Sequence, residues 1–91
     1  NQYIEKVPFD ANVYQLRAIS YYRIRDYEKS IEDVNLILDK GTKDPALLNL
    51  RGVNFRGLNN MEEACKDFLA SMKAGDKNGE TNYMNYCANK N

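Results

Sequence analysis

The sequence predicts an all-α protein built from antiparallel helix–turn–helix repeats that stack into an α-solenoid. Two observations predict this fold class. Apolar residues recur at spacings of three and four, as they do on amphipathic helices. The stretch from Arg17 to Val34 also reappears in altered form from Arg51 to Phe68. Because a two-helix unit cannot bury its own apolar face, neighbouring units are expected to stack and curl into a superhelix.

The internal repeat has a period of about 34 residues, which is within the range of known repeat architectures. The two copies align without an insertion, with small residues opposite small ones and large apolar residues opposite large apolar ones. The identical pairs are Leu16/Leu50, Arg17/Arg51, Glu28/Glu62, Asp33/Asp67, Gly41/Gly75 and Lys43/Lys77. The chain of 91 residues suffices for one small domain. We expect the end of a preceding repeat at 1–10, repeat 1 at 11–44, repeat 2 at 45–78 and a C-terminal capping helix at 79–91.

The first unit has the pattern of two helices. Asp10 suits the N-cap of the first helix, and Asp26 suits that of the second. Gly41, like Gly75 in the second unit, suits the C-terminal end of a second helix. The expected apolar stripe is Tyr14, Ala18, Tyr21 and Tyr22 on the first helix, and Tyr27, Ile31, Val34, Ile37 and Leu38 on the second.

The second unit follows the same plan. Pro45 fits the first turn of a helix, and Gly57 is expected to start the turn between the two helices. Gly52 is expected to let the helices approach, with Phe55 and Phe68 filling the space around it. The stripes are Leu48, Gly52 and Phe55, then Met61, Ala64, Cys65, Phe68 and Met72; a last amphipathic segment carries Tyr83, Tyr86 and Cys87 on one face.

The composition argues against several classes of function. Lys and Arg total 13 and so do Asp and Glu, which does not favour nucleic-acid binding. Runs without charge are too short to span a membrane. The sequence has no His, and so lacks the commonest general base and the commonest metal ligand. We therefore expect neither an enzyme nor a bound metal or cofactor.

Two features bear on the cellular compartment. The chain has two cysteines, Cys65 and Cys87, which stand far apart and outside any CxxC pattern. They can form a disulfide, but isolated Cys residues on helical stripes are more often small core residues, and the sequence favours that interpretation. The chain begins with Asn1 instead of Met, as after cleavage of a signal peptide or when an upstream segment is not included in the sequence. The localisation stays unknown: we expect a soluble protein, either cytoplasmic or exported.

The period and the residue sizes together resemble the tetratricopeptide repeat (TPR) family. The resemblance covers about residues 11–78 and implies a short right-handed superhelix of two full repeats, a partial N-terminal repeat and a C-terminal capping helix. A rival is the Sel1-like class, suggested by "KAGDKNGET", but its units usually have a longer loop and period. The residue pairs that carry the resemblance are Ala18/Gly52, Tyr21/Phe55, Tyr27/Met61 and Ser30/Ala64.

The resemblance also explains one departure from the family pattern. Arg17 and Arg51 stand where the family often has Leu. In a variant of the family, such an Arg pairs with an Asp on the second helix. We therefore expect partly buried ion pairs between Arg17 and Asp33 and between Arg51 and Asp67.

A function in protein–protein interaction follows from the resemblance. In this family the first helices line a concave face that commonly holds peptides or partner helices, so we expect a scaffold that binds a protein or peptide. An acidic partner is one option, because all five arginines lie in or just after first helices. The other interpretation is that these charges form a solvated face, as charged rims usually do. The alternative is an architectural spacer or a self-association module of a larger protein, with homo-oligomers formed through exposed repeat ends. The expected binding residues are Asn12, Gln15, Ile19, Tyr22, Arg23, Asn49, Val53 and Arg56.

Overall fold

The computed structural model describes residues 9–88, and these form five α-helices and no strand. The helices are α1 (Ala11–Arg23), α2 (Tyr27–Asp39), α3 (Pro45–Gly57), α4 (Met61–Lys73) and α5 (Lys77–Tyr86). The predicted all-α class is confirmed. Helices α3 and α4 begin and end one repeat period after α1 and α2, so the helix bounds keep the period of the sequence. The predicted remnant at 1–10 lies outside the described residues except for Phe9 and Asp10, and α5 begins two residues before the predicted segment 79–91.

Each helix begins after an Asp or Asn that caps it. The side chain accepts a hydrogen bond from a backbone N–H of the first turn, at 2.8–3.3 Å, which satisfies one of the donors that a helix start leaves unpaired. The two predicted N-caps, Asp10 and Asp26, are confirmed. The structure adds Asp44, Asn60 and Asp76 to them.

Residues with positive φ follow the first four helices and also repeat along the chain. Gly41 (φ 99°) and Gly75 (φ 97°) follow α2 and α4, as predicted. The turns inside the units use Arg25 (φ 67°) and Asn59 (φ 63°), which occupy equivalent positions in the two units. Since glycine adopts this conformation at no steric cost, the connections between the units are the less strained ones.

Two glycines serve close packing between helices. A Cβ on Gly52 would lie 2.5–3.2 Å from three ring atoms of Phe68, which confirms the expected close approach. The prediction that Gly57 starts a turn is wrong, because Gly57 is the last residue of α3. A Cβ on Gly57 would lie 2.5–2.7 Å from the ring of Tyr27. Its lack of a side chain makes room for that ring at the start of α2.

The helices pack mainly on their neighbours in sequence, and α5 also contacts α3. Because the connections are short, consecutive helices run antiparallel. The buried apolar residues lie between the helices and come from both units; they are Ala18, Val34, Ile37, Leu47, Ala64 and Phe68.

An ion pair joins the two helices of each unit, and both predicted pairs are confirmed. The Arg17 guanidinium donates to both carboxylate oxygens of Asp33 at 2.7 and 2.8 Å. The Arg51 guanidinium donates to Asp67 at 2.8 and 2.9 Å. The carboxylates are 4% and 8% exposed, so both pairs are partly buried. The hydrogen bonds to these carboxylates raise the pKa of both arginines above its ordinary value, and the guanidinium groups stay charged.

A buried polar chain links the two units. The Ser30 hydroxyl donates to the carbonyl oxygen of Ala18 at 2.7 Å, and Asn54 Nδ2 donates to the Ser30 oxygen at 2.7 Å. Asn54 and Ser30 are both fully buried. The predicted stripe of α3 omitted Asn54 and its buried neighbour Leu47. The inner face of α3 is therefore wider and more polar than the predicted stripe.

Candidate functional site

A cleft of about 390 Å³ opens between α1 and α3. The first helix of each unit supplies one wall, and the first turn of α5 closes one end. The cleft is open to solvent, so a chain segment can lie along it. Its lining consists of Gln15, Ile19, Tyr22, Arg23, Ala46, Asn49, Leu50, Val53 and Asn78.

The structure brings six of the eight sequence-predicted residues together in this cleft. The two others lie elsewhere. Asn12 lines a neighbouring hollow of about 200 Å³ beside Leu16. The guanidinium carbon of Arg56 lies 4.2 Å from the centroid of the Tyr86 ring, a cation–π contact with α5. The six residues in the cleft are Gln15, Ile19, Tyr22, Arg23, Asn49 and Val53.

The polar side chains of the cleft can pair with a peptide backbone. The amides of Gln15 and Asn49 each carry donors and an acceptor, and Tyr22 carries a hydroxyl that can do both. Asn82 Nδ2 on α5 donates to Asn49 Oδ1 at 2.8 Å, and this bond holds the Asn49 amide in the wall. Ile19 and Val53 add apolar contact surface between the polar groups.

Among the residues at 9–88 that line it, the cleft carries one positive charge and no carboxylate. Arg23 supplies the charge. Three other arginines that the sequence placed near this face have partners inside the protein: Arg17 and Arg51 pair with aspartates, and Arg56 stacks on Tyr86. The mildly basic character expected for the site therefore depends on Arg23.

Sequence reasoning missed Ala46, Leu50 and Asn78 in the lining. Asn78 was missed because the last helix starts at Lys77, which places Asn78 in its first turn. The sequence contained a signal for this helix start, because Asp76 is a residue type that favours the N-cap position. Its carboxylate accepts a hydrogen bond from the Gly79 N–H at 2.8 Å. Ala46 and Leu50 lack polar groups, and no pattern separates them from core residues.

A second groove, of about 470 Å³, lies between α4 and α5, and both cysteines line it. The expectation that they are separate core residues is wrong. Cys65 and Cys87 are joined in a disulfide with Cα atoms 5.9 Å apart, so they are not independent core residues. Both are half-buried. Their pairing depends on how α5 crosses α4, and the spacing of two cysteines along the chain carries no information on that crossing. The lining comprises Met61, Glu62, Cys65, Lys66, Leu69, Tyr83 and Cys87.

The smaller cleft is the better candidate for a binding site. The α4–α5 groove is lined mainly by hydrocarbon and sulfur, with Glu62 and Lys66 as its charged residues. The α1–α3 cleft combines amide, hydroxyl and guanidinium groups with apolar surface, as sites that fix the orientation of a ligand do.

Residues 9–88 contain no cluster of three His, Cys, Asp or Glu side chains placed to hold a metal ion. In the same part of the chain, no helix combines the length and the apolar character needed to cross a bilayer. Neither the protein-family models nor the curated proteins nor the solved structures contain a match to this chain.

Proposed function

We propose that this chain is a TPR-like interaction module that binds a peptide or partner segment in the α1–α3 cleft, and that it is a scaffold and not an enzyme. The observation that carries the proposal is the convergence of six residues, chosen from the sequence as binding residues, on one open cleft. The matching helix bounds, caps and ion pairs of the two units support the likeness to a helical repeat.

The chemistry of the cleft favours an extended segment with an acidic residue. An extended backbone exposes its N–H and C=O groups, which the amides of Gln15 and Asn49 can pair with. Arg23 can form a bidentate pair with a carboxylate. Tyr22 offers rigid contact area at low entropic cost.

The proposal can be tested by selection of peptides from a phage-displayed random library on the immobilised protein. We expect enriched peptides to contain Asp or Glu, and to bind at least tenfold more weakly to the Arg23→Glu and Val53→Glu variants. Arg25→Glu is the matched control, since it makes the same charge change at an exposed position outside the cleft. Failure to enrich any peptide contradicts the proposal, and so does equal binding to the wild type and both cleft variants.

A second candidate function, self-association through a repeat end, is favoured by the outer face of α1. Val13 and Leu16 are 56% and 67% exposed. Their counterparts in the second unit are Leu47, which is 1% exposed, and Leu50, which packs against the same core. The exposed stripe on α1 therefore corresponds to a surface that α3 buries against the preceding unit.

Sedimentation velocity separates this candidate from the first one. Self-association through α1 predicts larger species that grow with protein concentration and disappear in Leu16→Glu. A wild-type monomer at every concentration contradicts self-association and leaves the cleft proposal unaffected. The Leu16→Glu variant is not expected to disturb the cleft, because Leu16 is not among the residues that line it.

A further inference from the structure

Helix α5 has little intrinsic stability of its own. It contains 10 residues, and isolated helices of this length are marginal in water. Its sequence, KNGETNYMNY, is rich in Asn and contains a Gly and a Thr, which are poor helix formers. Gly79 is its one fully buried residue, and Met84 is 51% exposed. Its position therefore depends on contacts with the rest of the molecule.

These contacts hold α5 at both ends. At the N-terminal end, the Asp76 carboxylate accepts from the Gly79 N–H at 2.8 Å. The Ser71 hydroxyl lies 3.1 Å from the same carboxylate and 2.9 Å from the Pro45 carbonyl oxygen, and its one proton can be donated to either. At the C-terminal end, Cys87 is the C-cap residue, and its disulfide to Cys65 ties it to α4. One anchor is a set of hydrogen bonds and the other is a covalent bond that can be reduced.

The segment between the anchors reaches the candidate binding site. Asn78 lines the α1–α3 cleft, and Asn82 holds the amide of Asn49 through a 2.8 Å hydrogen bond. Tyr86 lies under the Arg56 guanidinium and near the Phe68 ring, with centroids 6.3 Å apart. A movement of α5 would therefore alter one end of the cleft and the orientation of Asn49.

The disulfide is accessible to a reductant. Both cysteines line the open groove of about 470 Å³ between α4 and α5. A small dithiol can enter there and attack one sulfur through a mixed disulfide. In the completed exchange the protein disulfide gains two electrons and two protons and becomes two thiols, while the dithiol is oxidised to its own disulfide.

We propose that the Cys65–Cys87 disulfide is a redox latch on the cleft: oxidised, it holds α5 against α3 and α4, and reduced, it lets α5 detach and release Asn49. The latch is a property of the fold. Its effect on ligand binding rests on the function proposed above.

The first test is hydrogen–deuterium exchange of the whole chain with and without dithiothreitol. The disulfide closes a loop with a sequence separation of 22, for which loop-closure entropy predicts that opening of α5 becomes on the order of 100-fold more frequent after reduction. Amides of α2, which is remote from the disulfide, serve as the internal reference and are expected to change less than twofold. The Cys65→Ser/Cys87→Ser double variant should exchange like the reduced wild type and should not respond to dithiothreitol.

The second test reads the cleft directly and requires no ligand. In proton–nitrogen correlation spectra, reduction is expected to shift the side-chain amide signals of Asn49, Asn78 and Asn82. The latch is refuted if α5 exchanges at the same rate in both redox states, or if α2 accelerates as much as α5, which would make the disulfide a general stabiliser. If α5 loosens on reduction and these amide signals stay unchanged, the latch does not act on the cleft and that part of the proposal is refuted. Peptide selection that fails while both tests succeed would reject the proposed function and leave the latch standing.

Discussion

Replacement of Gly52 by Ala offers a quantitative test of the packing between α3 and α4. The new Cβ would lie 2.5, 2.7 and 3.2 Å from Cε1, Cδ1 and Cζ of Phe68, whereas carbon atoms pack favourably at about 3.5–4.0 Å. Phe68 is 0% exposed, so its ring does not border solvent into which it could shift. Overpacking costs about 1–3 kcal/mol, and contacts as short as 2.5 Å to a fully buried ring place this site in the upper part of that range, at about 2–3 kcal/mol. The better helix propensity of Ala returns about 1 kcal/mol. We expect Gly52→Ala to lower the free energy of unfolding by about 1–2 kcal/mol.

Gly57→Ala is the matched control for this substitution. Its Cβ would come equally close to a ring, at 2.5–2.7 Å from Tyr27, but Tyr27 is only half-buried at the start of α2 and can shift toward solvent. The gain in helix propensity should then offset most of the cost, so we expect a change within about 0.5 kcal/mol.

Urea unfolding followed by circular dichroism in the far ultraviolet, with the disulfide intact, measures both variants. A double-mutant cycle with Phe68→Leu isolates the contact, because Leu removes the ring atoms that meet the new methyl group. In that background Gly52→Ala should be neutral or stabilising, which corresponds to a coupling free energy of at least about 1 kcal/mol. A Gly52→Ala variant as stable as the wild type, or a Gly57→Ala variant as unstable as Gly52→Ala, would refute this account of the packing.

Three further predictions concern the buried polar contacts. Arg51→Met should destabilise the protein by about 2–3 kcal/mol, because it leaves the buried Asp67 carboxylate without its partner. Arg17→Met should cost less, since the Arg17 side chain is 50% exposed and that of Arg51 is 26% exposed. Equal losses of stability in urea unfolding would contradict this order. The pKa of Arg51 is raised in the folded protein, so the contribution of the ion pair to stability is fully present below the ordinary pKa of arginine and is lost as the pH rises through the raised value. The difference in the free energy of unfolding between wild type and Arg51→Met should therefore be the same at pH 7 and pH 9. Ser30→Ala should lower the free energy of unfolding by about 1–3 kcal/mol, because it leaves Asn54 Nδ2 without an acceptor. The double variant Ser30→Ala/Asn54→Leu should recover part of that loss. A double variant less stable than Ser30→Ala would argue against the buried hydrogen bond.

The sequence predicted the features that local chemistry and repetition determine. The N-caps Asp10 and Asp26 follow from residue preference at helix starts, and Gly41 follows from the backbone conformation that a helix end requires. The ion pair between Arg51 and Asp67 was expected from the family resemblance, in which such an Arg pairs with an Asp, and the recurrence of both residues at the same spacing in both units supported it. Such features depend on few residues close in sequence or on a comparison of the chain with itself.

The features that the sequence did not predict depend on how separate helices meet. Asn54 is fully buried and its Nδ2 donates to Ser30 on another helix, whereas periodicity alone assigns a polar residue to the surface. The contact between Arg56 and Tyr86 was not predicted, because it depends on the position of α5. The pairing of Cys65 with Cys87 was not predicted either, because it also depends on the position of α5. In each case the missing information was the register of a helix distant in sequence.

The register of α5 accounts for the arrangement around the candidate site. The N-caps of α1 and α3 are one repeat period apart, whereas Asp76, the N-cap of α5, comes two residues before the place that the same period would give it. Counted from its cap, Gly79 therefore occupies the place that Leu47 has in α3, where the fully buried Leu47 packs in the core with Ile37. The counterpart of Ile37 in the second unit is Ser71, so a pair of large side chains is replaced by a small pair.

This small pair lets α5 approach α4 closely. A Cβ on Gly79 would lie only 2.5 Å from the Cβ of Ser71 and 3.0 Å from the backbone nitrogen of Met72, so no larger residue fits without movement of the helix. The close approach is stabilised little by apolar burial, since neither Gly79 nor Ser71 has much hydrocarbon to bury. The hydrogen bonds of Asp76 and the disulfide at Cys87 supply what the repeat elsewhere obtains from its core. The last described helix thus buries no large apolar side chain completely, and this is the physical reason that a reducible bond can control its position.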